Sequence, residues 1–295
     1  VIEPFTAPFM ARALTELALL ALICGPISVF VFARRLSFVS DALTHTIFPG
    51  VVIGFLAGGL EGLFAGALVA GIVTAVVLTL LTRGGRVSDD AATAVVLTAM
   101  FSIGVAMVSR RSSYTSDLTS FLFGRLLTVS PRQIAETAAL VVIVLIALVA
   151  GARALLFRTF DPGGAAAAGF RVGWLDLWLN ILVALVVVAA VRAVGTILVV
   201  ALLIVPAAAA RMVTDRLVVM AAVGTVLILG AGYGGLLLSW TASIHYGVSL
   251  TSASSVVLLL VAAYCLLIPV RLIRDRRRRT VTVPRQRSSV HELVG

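Results

Sequence analysis

Residues 10–58 read MARALTELALLALICGPISVFVFARRLSFVSDALTHTIFPGVVIGFLAG. Two apolar runs, 10–33 and 40–58, flank the pair Arg34 and Arg35. Each run is close to the roughly 20 residues that carry a helix through a hydrocarbon core of about 30 Å. Basic residues between two such runs mark a turn at a membrane surface. The rest of the chain repeats the pattern. Further runs at 62–82, 90–109, 133–151, 174–192, 194–213, 216–239 and 249–270 bring the expected spans to nine. Eight to ten are compatible with the stretch 110–132. The predicted fold class is all-α: a polytopic membrane domain over 1–270, then a basic, flexible cytosolic tail over 271–295.

Composition supports this. Of 295 residues, 61% are hydrophobic and 12% charged, against about 25% charged in a soluble domain. A cytosolic enzyme, a disordered chain and a secreted disulfide scaffold are thereby excluded. All 23 basic residues are arginine. Without lysine there is no Walker A loop, so this chain is not itself a nucleotide hydrolase of that class. The net charge of +10 lies mostly between hydrophobic runs and in the tail, which reads as a topology signal and not as a nucleic-acid surface. With the N-terminus outside, the inner segments hold 17 of the 23 arginines. The expected orientation is N-out, C-in, with the tail (RDRRRR, 274–279) near anionic lipid. Cys24 and Cys265 lack a CxxC spacing and read as small hydrophobes. Val1–Pro8 carries Glu3 and no basic residue, unlike a signal peptide. The segment 117–130, DLTSFLFGRLLTVS, is too short to cross and is expected to be re-entrant or interfacial.

Ionisable residues inside spans are costly and mark function by default. The clearest are Asp41 and His45, spaced i, i+4 on one helix face. His45 lies ten residues beyond Arg35, about 15 Å along a helix and so near the bilayer midplane. Carboxylate plus imidazole suits a borderline divalent cation. Two ligands are too few for a firm site, and two copies across a dimer axis would supply four. A structural Asp–His hydrogen bond is the other reading. No further acid is expected within the membrane. Pro49 and Gly50 follow one turn later and should bend or open the helix. Gly50, Gly54, Gly58, Gly62 and Gly66 recur every fourth residue, read as close helix packing, or as a channel lining or hinge. The stretch 194–217 carries Pro206, Ala210, Arg211, Asp215 and Arg216. It reads as a short helix starting at the proline that docks on a partner, or as an ordinary helix–turn–helix. His245 falls outside, Asp89 and Asp90 cap a helix start, and Asp161-Pro162 makes a turn.

These segments resemble a known family. RRLSFVSDALTHTIFPGVVIGF is similar to the R-x-x-F-x-G-D-A-L-S-H-A-x-L-P-G signature of ABC-3 permeases, the membrane subunits of manganese, zinc and iron ABC importers. DLTSFLFGRLLTVS, AVGTILVVALLIVPAAAARMVTDRL and YGGLLLSW resemble three further segments of that family, in the family's order. Ser40, Thr44 and Thr46 depart from its Gly, Ser and Ala. The resemblance implies a type II ABC importer-like permease in the plasma membrane, here the bacterial inner membrane, working as a homodimer or a dimer of close paralogues. It implies two cytosolic ATPase subunits and an external metal-binding protein, no permanently bound cofactor, and a divalent transition metal as cargo. Asp41 and His45 would line the path, and Pro206 to Arg216 would couple to the ATPase. The rival expectations are a proton-coupled secondary transporter, a type II ABC permease for a larger ligand such as a siderophore, and a non-transporting membrane scaffold.

Overall fold

The computed structural model describes residues 3–83, 85, 87–109, 124, 126–247 and 250–281. Among them there are helices and turns but no strand, as lipid demands of a chain that is not a closed barrel. The elements are α1 (Pro8–Ala33), α2 (Ser37–Thr46), α3 (Phe48–Thr82), α4 (Asp89–Ser109), α5 (Pro131–Phe160), α6 (Pro162–Ala167), α7 (Val172–Val213), α8 (Leu217–Tyr246) and α9 (Ser252–Val281). Short 3-10 turns occupy Glu3–Thr6 and Leu126–Thr128. α9 runs on past residue 270 to Val281 as one helix. Residues 282–295, with most of 110–125, lie outside the described residues. The expectation for 117–130 falls largely there.

Two of these helices fold back on themselves. α3 breaks at Gly58 and Gly59, the latter at φ 60°, a left-handed backbone that glycine tolerates. Its two arms then run antiparallel. Gly50 faces Gly66 and Gly54 faces Gly62, so closely that a Cβ on any of the four would collide with the opposite backbone carbonyl oxygen. The four-residue glycine spacing is therefore a packing device between arms, and not one face of one helix. At the turn itself, a Cβ on Gly58 would meet nothing within 4 Å. Ile47 separates α2 from α3, and Pro49 sits in the first turn of α3, where no intrahelical N–H is lost. α2 and the first arm of α3 together form one span, Ser37–Gly59.

α7 is 42 residues long, about 63 Å if straight and twice the hydrocarbon thickness. It breaks at Gly195 (φ 78°, ψ 167°). Its packing shows that it doubles back. Asp176, near its start, pairs with Arg34 just beyond α1. Ala210, near its end, packs with Val29 of the same α1 and with Met220. A straight helix would hold Asp176 and Ala210 about 51 Å apart, whereas Val29 and Arg34 differ by roughly 8 Å along α1. Eight segments are long and apolar enough to cross a membrane, and α7, counted once among them, crosses twice. The described residues thus supply nine passages.

α1 and α7 form the buried centre. α1 runs antiparallel to α8, with Phe9 near Trp240 (6.0 Å between ring centroids), Leu17 under Gly232 and Gly25 against Thr225. α4, α5, α8 and α9 are the peripheral spans, each with only a minority of its residues buried.

Polar contacts pin the centre at both ends. At the end of the expected inner side, Arg34 donates to Asp176 Oδ1 at 2.7 Å, to Thr159 Oγ1 at 2.9 Å and to the Leu155 carbonyl at 3.3 Å. Arg158 donates to Asp176 Oδ2 at 3.0 Å. One carboxylate thus joins α1, α5 and α7. Burial pulls the Arg34 guanidinium below its usual pKa, and the adjacent Asp176 opposes that shift. At the outer end Thr137 donates to Glu16 at 2.8 Å, and Arg192 donates to Glu136 at 2.7 Å while lying 4.5 Å over the Phe64 ring.

Two outcomes follow. Gly54→Leu removes folded, monodisperse protein from detergent size-exclusion chromatography, while Gly58→Ala elutes as the parent does. Asp176→Ala strands two arginines and lowers stability by about 3 kcal/mol, read as a fall in the thermal midpoint of the purified protein.

Candidate metal path

Why α2 is helical is local. Ser40 donates to the Leu36 carbonyl at 3.0 Å, Thr44 to the Asp41 carbonyl at 2.7 Å and Thr46 to the Leu43 carbonyl at 3.3 Å. All three hydroxyls are buried and turned back on their own helix. This is how α2 accommodates Ser40 and Thr46 where the resembled signature has Gly and Ala. Ala42, Leu43 and Thr44 are buried too, so α2 leaves open a stripe that includes Phe38, Asp41 and His45. The helical spacing does place both candidate ligands on one face.

Depth agrees with the helix count. Ile47, two residues beyond His45, lies against Gly71 in the middle of the second arm of α3. Neither the Asp41 carboxylate nor the His45 ring forms a hydrogen bond or ion pair with a described residue. The Asp–His hydrogen bond of the structural reading is not made. The recorded ring contact of His45 is with Phe101 of α4, edge-on at 6.0 Å between centroids and 84° between planes. Among the described residues no three His, Cys, Asp or Glu side chains gather as a metal cluster. Asp41 and His45 thus stand as two donor groups with no third beside them among the described residues. A charged Asp facing lipid at mid-span costs roughly 3 kcal/mol even on insertion scales. The pair is chemically suited to face water, an ion or another protein surface.

The second set of candidates stands elsewhere. Pro206 does not start a short helix; it lies inside the second arm of α7, which runs unbroken to Val213. A mid-helix proline frees the carbonyl four residues back and is tolerated where neighbouring helices pack around it. Pro206 is buried and packs near Gly224 of α8. Ala210 is buried as well. Only the end of the segment reaches solvent, where half-exposed Arg211 pairs with Asp215 at 2.9 Å. The Arg216 backbone N–H donates to Thr214 Oγ1 at 3.2 Å, and Arg216 caps α8. The five residues split into a buried anchor, Pro206 and Ala210, and an exposed turn, Arg211, Asp215 and Arg216. His245 ends α8 at the outer face and is exposed.

Sequence reading missed Glu16 and Asp176. The expectation of no further intramembrane acid is corrected by Glu16; Asp176 stands at a span end, among the arginines. Glu16 is fully buried in α1, and its Oε2 has no hydrogen-bond partner. The signal was present: one carboxylate inside the apolar run 10–33. It was masked by its nearness to the start of the run.

The family model described as the ABC 3 transport family matches residues 6–266. The chain belongs to this family. The permease is 36% identical to the manganese transport system membrane protein MntC of Halalkalibacterium halodurans, over 86% of this chain and 84% of that protein. It is 32% identical to the chelated iron transport system membrane protein YfeD of Yersinia pestis, over 81% and 79% of the two chains. Among solved structures it resembles PsaBC from Streptococcus pneumoniae in complex with a Fab. The TM-score is 0.79 at 26% identity, covering 94% of this chain and 98% of that one. The permease is thus a non-enzymatic membrane subunit of an ABC transporter, a multi-pass protein of the bacterial cell membrane.

Because the Asp41 carboxylate and the His45 ring make no hydrogen bond or ion pair with a described residue, Asp41→Asn and His45→Gln each lower stability by no more than about 1 kcal/mol, read from the thermal midpoint of the purified protein. A larger loss in either would mean a structural role.

Proposed function

We propose that this permease carries a divalent transition metal inward, manganese in the first place, with zinc and iron as the other cargoes. The observation that carries the reading is the open Asp41–His45 stripe on α2, ionisable, at mid-span and without a hydrogen-bond or ion-pair partner among the described residues. The manganese and iron relatives support the metal class. Two protomers, identical or closely paralogous, face each other across this stripe and contribute two carboxylates and two imidazoles.

Asp41 offsets the desolvation of the cation with negative charge. His45, neutral, adds a nitrogen donor that suits manganese, iron and zinc. The site is transient, because a tight four-ligand site would trap its cargo. Energy comes from separate cytosolic ATPase subunits, for which the Arg211–Arg216 turn is the contact, and an external metal-binding protein delivers the ion. Metal is cargo here, and no cofactor is held permanently.

The test is uptake by the complex reconstituted in vesicles, with manganese, zinc and iron in competition. Asp41→Ala and His45→Ala are each expected to lower manganese uptake by at least tenfold while the complex still assembles, the scale on which supporting groups of metal sites act. Uptake at the parent rate in both variants overturns the assignment.

A further inference from the structure

A histidine that contacts a metal is normally oriented by a hydrogen bond from its other ring nitrogen, often to a carboxylate, which also makes the imidazole a stronger ligand. His45 has no such partner among the described residues. Its ring is nonetheless placed. The Phe101 ring stands edge-on to it at 6.0 Å and 84°, the arrangement aromatic pairs prefer.

Phe101 is itself held. It meets the Phe48 ring at 5.9 Å between centroids. Phe48 in turn occupies the space beside Gly104, where a Cβ would collide with its ring. The contacts His45–Phe101–Phe48–Gly104 thus tie α2, α4 and the first turn of α3 across the break at Ile47. Phe101 remains 41% exposed, and its neighbours Thr98 and Ser102 are exposed as well. This face of α4 therefore borders the same open side as His45.

We infer that Phe101 is a positioning residue for ion contact, setting the plane of the His45 ring. The inference rests on the proposed metal path. A ring contact orients the imidazole while leaving both nitrogens free, and without the gain in basicity that a carboxylate partner would give. That combination suits a ligand which must meet a passing ion and release it. Phe101 touches no ion; it acts through His45.

The experiment measures manganese transported per ATP hydrolysed by the reconstituted complex, normalised to assembled complex, for the parent and for Phe101→Leu, Phe101→Met, Phe101→Tyr and His45→Ala. A ring needed only for packing would change assembly, or uptake and hydrolysis together. A positioning ring changes their ratio. Phe101→Leu is expected to lower the ratio by about two- to tenfold, the worth of an aromatic pair of this geometry, and Phe101→Tyr to restore it. Phe101→Met replaces the leucine variant if the latter does not assemble. A parent-like ratio in the leucine or methionine variant overturns the inference, as does a tyrosine variant as impaired as leucine. Parent-like transport by His45→Ala overturns the underlying path as well, whereas a defect in His45→Ala beside a normal Phe101→Leu removes only the role of Phe101.

Discussion

The carboxylate of Asp176 accepts from Arg34 and Arg158 at once, and the layout of the permease follows from it. It fixes the start of α7 against the C-terminal ends of α1 and α5. The apolar length that follows has to end somewhere, and at about 35 Å, near the far side of the membrane, it reaches Gly195. The chain turns there and comes back beside α1. Everything else is arranged around this centre. α8 packs on the returning arm, with Gly224 beside Pro206, while the second arm of α3 is laid along the outgoing one, with Gly71 beside Ala184 and Val188 and Thr79 accepting from Asn180 at 3.0 Å.

That layout explains why a costly pair stays uncovered. α2 is gripped by α7 on one side and α4 on another, and its buried hydroxyls serve only its own backbone. The remaining face presents Asp41 and His45 to the outside of the protomer. In a protein whose acids Glu16 and Asp176 are bonded to neighbours, Glu16 to Thr137 and Asp176 to two arginines, an acid and an imidazole with no hydrogen bond or ion pair to a described residue stand out. Hydrogen bonding separates the structural from the available.

Much of this was legible in the sequence because lipid leaves few choices. Apolar runs of fixed length, arginines between them and an i, i+4 pair are one-dimensional signals, and the helices carry them over unchanged. Pro206 was misread because proline favours a helix start in water-facing chains, whereas packing around a buried arm tolerates it in the interior. The glycine spacing and the turn between the runs 40–58 and 62–82 are both visible in the sequence, but which glycine opposes which needed the folded arms. The contact between His45 and Phe101 joins positions on different helices, and no periodicity along the chain encodes it. Glu16 needed the third dimension too, since its meaning lies in Thr137 of α5.

The small knot of Val29, Ala210 and Met220 joins the exposed turn at Arg211–Arg216 to the central helix within a few residues. Whatever binds that turn therefore has a short lever: displacement there is delivered directly to α1. Through the Arg34 clamp on Thr159 and Asp176 it then spreads to α5 and the outgoing arm of α7. The exposed turn and the Asp176 clamp are thus two ends of one continuous packed stretch, Val29 to Arg34.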